Sequence, residues 1–298
     1  MKAPFPDYKP GKKGDETSDA AVAGVDPPHI FDDAPPEEPA QYARLRDVPF
    51  RMLVPNLITL GAICSGLTAV RLAFEGRFQL AIVAIVFAAC LDALDGRVAR
   101  FLKSTSSFGE QMDSLADFVN FGVAPALVLY LWTLRDAQSL GWIAALIFAI
   151  CGCLRLARFN VTLDSEDKRD WEVDFFVGVP APAGAILVML PIYLGLLGFL
   201  ERFDAIVTWA TLAYVLFIGF LMTSSLPTWS GKRSVQRISR HLVVPVMIGL
   251  MLLIVFLFSY PWLLLTIGAL AYLATIPFSI RDWRRRDASE SSQEAPAP

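Results

Sequence analysis

The segment between residues 92 and 117 decides how the rest of this chain is interpreted. It reads Asp92-Ala-Leu-Asp95-Gly96-Arg97-Val-Ala99-Arg100, then eight residues, then Gly109-Glu-Gln-Met-Asp113-Ser-Leu-Ala-Asp117. The first two aspartates are three residues apart and the last two are four apart. Because residues at these spacings share one face of a helix, the segment predicts two carboxylate pairs. They lie where one apolar stretch ends and the next begins.

The composition of the chain favours a membrane protein. Of 298 residues, 55% are hydrophobic and 18% are charged, whereas soluble domains average about 25% charged residues. Eight apolar stretches have membrane-spanning length or nearly so. They are residues 52–74, 78–101, 112–134, 138–158, 179–200, 204–223, 240–259 and 261–280. The predicted fold is an all-α, polytopic membrane helix bundle of about eight transmembrane helices.

The distribution of charge predicts the domain organisation and the orientation in the membrane. Residues 1–44 are rich in proline and acidic residues and are predicted to be disordered. Residues 45–286 form the predicted membrane domain, and residues 287–298 a second disordered tail. Arginine and lysine concentrate before the first stretch, after every even-numbered one, and in few other loops. The positive-inside rule then places both termini and the acidic segment on the cytoplasmic side.

Four carboxylates at the ends of two neighbouring helices would repel one another strongly in a partly desolvated site. Hard divalent cations such as Mg²⁺, Mn²⁺ and Ca²⁺ prefer oxygen ligands and would neutralise them. Bound metal attracts phosphate oxygens, so the segment predicts a metal-bridged diphosphate site. Small residues at 96, 99 and 109 would let a bulky ligand approach the helices. The competing interpretations are a solvated loop face for the acids and close helix packing for Ala99.

The complete pattern, Asp-x2-Asp-Gly-x2-Ala-Arg-x8-Gly-x3-Asp-x3-Asp, resembles the signature of the CDP-alcohol phosphatidyltransferase family. The resemblance implies a homodimeric membrane enzyme that uses two divalent cations per site, Mg²⁺ or Mn²⁺, to displace CMP from a CDP-linked lipid with a hydroxyl group. It implies metal ligation by Asp92, Asp95 and Asp113, with Asp117 as a further ligand or the general base. The implied nucleotide side consists of Gly96, Ala99, Arg100 and Gly109.

Two other segments contain candidate binding residues. Asn56 and Thr59 share a helix face near the start of the first stretch. The resemblance implies that they contact the nucleotide. The alternative is that they only stabilise the start of the helix. Arg155 and Arg158 share a face at the end of the fourth stretch, where a planar guanidinium suits a phosphate or a carboxylate. The alternative is that these arginines are ordinary basic residues that flank a membrane span on its cytoplasmic side.

The segment Leu154-Arg-Leu-Ala-Arg-Phe-Asn160, with residues 176–182 and 225–232, resembles a subgroup of that family, the membrane-integral (type II) phosphatidylserine synthases of bacteria and archaea. The subgroup implies CDP-diacylglycerol and L-serine as substrates, and a bacterial cytoplasmic membrane with the site facing the cytoplasm. Arg155, Arg158, Asn160 and Lys232 are the acceptor candidates. Val179-Pro-Ala-Pro182 departs mildly from the subgroup's pattern.

Three alternatives stay open on the sequence. The same chemistry could use glycerol 3-phosphate, inositol phosphate or choline, since charge alone does not select serine. The acids could form the ion path of a cation transporter, although they lie at a helix boundary and no internal repeat is visible. A purely structural membrane protein would gain no stability from burying four acids. Membrane lipid is the expected surrounding, and no nucleic-acid partner is expected.

Overall fold

The first two helices of the bundle form an antiparallel pair. A computed structural model describes residues 50–102, 104, 106–163, 175–229 and 243–293. Helix α1 spans Phe50–Phe74 and α2 spans Phe78–Phe101. The turn between them contains Gly76 with φ of +75°, a left-handed conformation that glycine adopts without steric cost. Side chains of α1 pack along α2, with Ala69, Ala73, Ala81 and Ile85 buried.

The third span is a single helical rod with an irregular middle. It comprises α3 (Ser107–Asp117), a π-helical turn (Phe118–Val123) and α4 (Ala124–Trp132). Such π-helical turns are rare and are frequently found at functional sites. This one begins directly after the last aspartate of the acidic segment. A 3₁₀ turn (Leu134–Ala137) then leads into α5 (Gln138–Leu163).

The remaining described elements complete the bundle. They are β1 (Phe175–Val177), α6 (Ala181–Val188), α7 (Leu190–Leu196), α8 (Ala205–Thr223), β2 (Pro227–Trp229), α9 (Val243–Ser259) and α10 (Pro261–Gln293). The two strands pair antiparallel, with Phe176 opposite Thr228. This small sheet was not predicted from the sequence. It joins the segment before α6 to the segment after α8, so two distant chain segments are held at one end of the bundle.

The fifth predicted span is divided into two short helices. Helix α6 ends at Val188 and α7 begins at Leu190, with Pro191 in the first turn of α7. Proline has no backbone N–H to donate and its ring hinders the preceding helical turn, which explains the interruption. The helix in residues 179–200 is therefore interrupted at Met189, where the hydrophobic pattern predicted a continuous helix.

The fold class is confirmed. Within the described chain, six helices are long and apolar enough to cross a membrane, and two shorter apolar helices, Ala181–Leu196 and Val244–Ser259, accompany them. Met251 and Phe258 on α9 are 69% and 84% exposed, as expected for side chains that face lipid and not water. The orientation of the termini stays a prediction. The domain boundaries also stay predictions, and α10 continues to Gln293, beyond residue 286.

Candidate functional site

Three of the four predicted carboxylates meet at one point. One ligand oxygen from each of Asp92, Asp95 and Asp113 lies within 4.8 Å of the other two. Hard divalent cations bind oxygen ligands at about 2.0–2.6 Å, so two ligands of one ion can be separated by up to about 5 Å. The carboxylate oxygens therefore fit a divalent cation of this class.

Asp117 is next to this triad but its environment is different. Its carboxyl group lies beside that of Asp92. Its Oδ1 is buried and has no hydrogen-bond partner among the described residues. One oxygen of Asp117 is therefore left available for a ligand at the inner edge of the site.

Helix α1 supplies the residue that orients one of the acids. The Thr59 hydroxyl lies 2.7 Å from Oδ2 of Asp95 and 3.1 Å from the carbonyl oxygen of Pro55. A hydroxyl has one proton, and the carboxylate is the nearer acceptor and the charged one. Thr59 is 4% exposed and Asp95 is 3% exposed. This hydrogen bond is therefore shielded from water, and it ties α1 to the end of α2.

A cavity of about 150 Å³ opens beside the triad. The structure brings all six predicted nucleotide-side residues to its wall, together with two of the acids. Its lining consists of Pro55, Asn56, Thr59, Asp95, Gly96, Ala99, Arg100, Ser104, Ser106, Gly109, Glu110 and Asp113. These residues come from α1, the end of α2, the connection that follows it and the start of α3. The contacts place the six residues together, while their roles stay predictions.

The two glycines shape the cavity in different ways. A Cβ built on Gly96 would meet no atom within 4 Å, so Gly96 borders open space that a ligand can occupy. A Cβ on Gly109 would lie 3.2 Å from both Asn56 Oδ1 and Ser106 Oγ. Gly109 therefore allows α3 to approach α1 closely, and a side chain there would push on the cavity wall.

The predicted acceptor residues are distributed more widely than the sequence suggested. Arg155 is buried, whereas Arg158 is exposed and donates from Nη1 to the Ser224 carbonyl oxygen at 3.3 Å. Asn160 donates from Nδ2 to Ser114 Oγ at 3.0 Å, which places it against α3 between Asp113 and Asp117. Lys232 lies outside the described residues.

Several functional candidates were missed by sequence reasoning. Ser106 caps the N-terminus of α3, where its Oγ accepts from the Gly109 N–H at 3.1 Å. A serine just before a predicted helix is a recognisable N-cap signal and would have identified it. Ser104 and Glu110 carried no such signal. Asn120, in the π-helical turn, is fully buried, and its amide has no partner among the described residues.

The comparison with known protein families agrees with this geometry. The family model described as CDP-alcohol phosphatidyltransferase matches residues 52–219, and a second, CDP-alcohol phosphatidyltransferase 2, matches residues 241–277. The first match covers more than half of the chain and includes every residue of the triad and the cavity wall. Family members use divalent metals, which agrees with the oxygen-rich triad.

Several curated relatives carry the name CDP-diacylglycerol–serine O-phosphatidyltransferase. The protein from Mycobacterium leprae is 40% identical over 235 residues, covering 78% of this chain and 76% of its own length. Those from Helicobacter pylori and Methanocaldococcus jannaschii are 36% and 37% identical, each over 58% of this chain and 70% and 72% of their own lengths. With the acidic triad, the cavity and these matches together, the chain belongs to the CDP-alcohol phosphatidyltransferase family.

Proposed function

We propose that this protein transfers the phosphatidyl group of CDP-diacylglycerol to the hydroxyl group of L-serine, giving phosphatidylserine and CMP. The observation that carries the proposal is the convergence of Asp92, Asp95 and Asp113 beside a cavity lined by all six predicted nucleotide-side residues. The names of the relatives supply the serine acceptor.

Asp92, Asp95 and Asp113 would hold the divalent cations, Mg²⁺ or Mn²⁺, with two per site and Asp117 as a further candidate ligand. When bound, such ions neutralise the diphosphate and stabilise charge on the departing phosphate oxygen. The Thr59 hydroxyl keeps the Asp95 carboxylate in a fixed orientation. Hydrogen bonds of this kind orient metal ligands and raise affinity for the metal.

The cavity receives the cytidine nucleotide. Arg100 and Asn56 offer hydrogen-bond donors at its wall, and Gly96 and Ala99 leave space for the ligand beside α2. The Arg100 Nε donates to the Gly96 carbonyl oxygen at 3.0 Å, which directs the guanidinium group along the end of α2. Because Asp95 and Asp113 line the cavity, the diphosphate of a nucleotide bound there would be close to the metal ligands.

Asp117 acts as the general base. Its Oδ1 is buried and available, and a carboxylate within hydrogen-bond reach of a hydroxyl can remove its proton during attack. The serine oxygen forms a bond to the phosphorus that carries diacylglycerol, and the bond from that phosphorus to the CMP oxygen breaks. The serine proton passes to Asp117, and CMP leaves with the bonding electron pair.

Arg155, Arg158, Asn160 and Lys232 are proposed for the acceptor side. The buried Arg155 is the strongest of these, because it interacts electrostatically with Asp117. The enzyme is proposed to act as a homodimer in the bacterial cytoplasmic membrane, embedded in lipid and with this site facing the cytoplasm. The predicted domain limits, with tails at 1–44 and 287–298, stay part of the proposal, with the first residues of the second tail, up to Gln293, continuing helix α10.

An acceptor panel tests the function. Purified protein, CDP-diacylglycerol and Mn²⁺ or Mg²⁺ are incubated with L-serine, glycerol 3-phosphate, inositol phosphate or choline, and CMP release is measured. We expect release with L-serine and its loss on chelation of the metal. CMP release with glycerol 3-phosphate but not with L-serine would overturn the serine acceptor.

The general base is tested in the same assay with Asp117→Asn. A positioned base contributes about 10²–10⁴-fold, so we expect turnover to fall by about that factor. Asp136→Asn is the control, because Asp136 is exposed in the 3₁₀ turn at the other end of the third span. If Asp117→Asn kept near-normal turnover with metal bound, Asp117 would not be the base.

A further inference from the structure

Three buried polar atoms belong to residues that interact with one another beside the acidic site. They are Oδ1 of Asp117, Nε of Arg155 and the hydroxyl oxygen of Tyr272, none of which has a hydrogen-bond partner within the described part of the chain. They come from the third span, from α5 and from α10. Unpaired buried polar atoms are costly and uncommon in folded proteins. Three in one place therefore indicate that something else satisfies them.

Arg155 connects the other two residues. Its guanidinium group interacts electrostatically with both Asp117 and Tyr272, and it is 9% exposed. The ring of Phe159 lies 5.7 Å from the guanidinium carbon, a distance at which a cation is attracted to an aromatic face. The guanidinium is thus held in place within the bundle and not directed to solvent.

The position of Tyr272 is fixed from the other side by the small sheet. Thr228 of β2 lies next to Tyr272, but no hydrogen bond of good geometry joins their hydroxyls. The Thr228 hydroxyl instead donates to the Gly178 carbonyl oxygen at 2.8 Å. Within the described residues no acceptor forms a hydrogen bond with the Tyr272 hydroxyl, so its proton is left for a ligand.

We propose that Tyr272 is a specificity-determining residue, whose phenol O–H and the Arg155 guanidinium together hold the carboxylate of the acceptor amino acid. This inference rests on the proposed function. A carboxylate accepts hydrogen bonds on two oxygens, and guanidinium and phenol groups can both donate to it. The acceptor's hydroxyl group would then be directed at Asp117. When ionised, this carboxylate has no proton to donate and can only accept one.

The charge balance favours a carboxylate over a phosphate at this position. Among the residues that the structure describes, Arg155 is the one cation that interacts electrostatically with both Asp117 and Tyr272. A singly charged carboxylate matches one guanidinium and one neutral donor. A phosphate monoester carries nearly two negative charges at pH 7 and would be left undercompensated next to an aspartate. The set of donors therefore selects an amino acid acceptor over a sugar or glycerol phosphate.

The test compares Tyr272→Phe with Tyr193→Phe. Tyr193 is a matched control, because its hydroxyl is also buried without a partner in the described chain, but it lies in α7, which packs near Trp132 at the far end of the third span. Loss of one hydrogen bond to a charged group changes affinity by about tenfold or more. We expect Tyr272→Phe to raise the KM for L-serine by at least about tenfold. The kcat, the KM for CDP-diacylglycerol and all Tyr193→Phe constants should stay within about twofold.

A second measurement needs no substitution. L-serine methyl ester keeps the hydroxyl and the ammonium group but has no carboxylate charge, so the unchanged protein should use it at least about tenfold less efficiently than L-serine. In Tyr272→Phe this preference should shrink.

Each other outcome decides the matter. Equal effects of the two tyrosine substitutions, a fall in kcat at unchanged KM, or equal use of the ester and L-serine would each overturn the role of Tyr272. Absence of CMP release from the unsubstituted protein with L-serine would instead refute the proposed function, and the carboxylate site with it. The unsubstituted protein therefore separates the two failures.

Discussion

Replacement of Thr59 by valine tests whether α1 organises the metal site. Valine has nearly the same shape as threonine but cannot donate a hydrogen bond, so the change removes the 2.7 Å bond to Asp95 Oδ2. Both residues are almost fully buried, and water cannot easily replace the lost donor. A net contribution of about 1.5–3 kcal/mol is typical for a hydrogen bond to a charged group. That range corresponds to about ten- to a hundredfold in affinity, which is also the usual effect of a residue that orients a metal ligand.

The assay is a titration of CMP release with Mn²⁺ at fixed, saturating CDP-diacylglycerol and L-serine. We expect the half-saturating Mn²⁺ concentration to rise by about ten- to a hundredfold in Thr59→Val, with much of the turnover restored at high metal concentration. The KM for CDP-diacylglycerol at saturating metal should change little.

Thr266→Val is a closely matched control. Thr266 is buried in α10, and its hydroxyl donates to the Trp262 carbonyl oxygen four residues earlier at 2.7 Å. Thr59 has the same type of contact with the Pro55 carbonyl oxygen, but only Thr59 of the two also reaches an acid of the triad. An unchanged metal dependence in Thr59→Val, equal to that of Thr266→Val, would refute the reasoning. A raised KM for CDP-diacylglycerol at unchanged metal affinity would instead make Thr59 a nucleotide contact.

Two further predictions concern the packing that supports the site. In Gly66→Ala, the new Cβ would lie 2.1 Å from Oδ1 of the fully buried Asn120. We therefore expect the free energy of unfolding to fall by about 1–3 kcal/mol, which would be measured as a lower Tm in detergent and a lower turnover. Gly268→Ala, where no atom lies within 4 Å, is the control, and equal Tm values for the two variants would contradict the contact. Arg202 donates to the last two backbone carbonyls of α4. Arg202→Met should therefore lower the free energy of unfolding by about 2 kcal/mol and lower the Tm, while the KM values for both substrates stay unchanged. The exposed Arg135→Met should leave the Tm near that of the unsubstituted protein, and an equal loss there would argue against the carbonyl contacts.

The acidic segment was interpretable from sequence because helical spacing is a local property. Asp92 and Asp95 had to share a face once the segment was helical, and the neighbouring hydrophobic stretches placed that face at a helix end. All four acids were expected to converge, and the oxygens of Asp92, Asp95 and Asp113 lie within 4.8 Å of one another, with Asp117 beside Asp92. Their roles as metal ligands stay predictions. The eight apolar stretches were likewise visible because membrane-spanning length is encoded in composition alone.

Other features of the site depend on contacts between distant segments. The bond from Thr59 to Asp95 joins residues 36 positions apart, and no spacing rule connects them. Arg155 and Arg158 share a nominal face, yet one is buried and the other exposed, because the neighbouring elements cover only part of the end of α5. Two predicted helices are also less regular than expected. One contains the π-helical turn after Asp117, and the other is interrupted before Pro191.

By itself, the sequence indicated the family, through the resemblance of its acidic segment to a known signature. It also indicated the helical membrane architecture and the acids most suited to bind metal, since these two follow from hydrophobicity and local spacing. The tertiary structure alone decided which helix orients Asp95, which residues enclose the cavity beside the triad, and that Arg155 of α5 interacts with both Asp117 and Tyr272 of α10. The physical reason is that a helix fixes the directions of its own side chains, whereas its neighbours are selected by packing over the whole bundle.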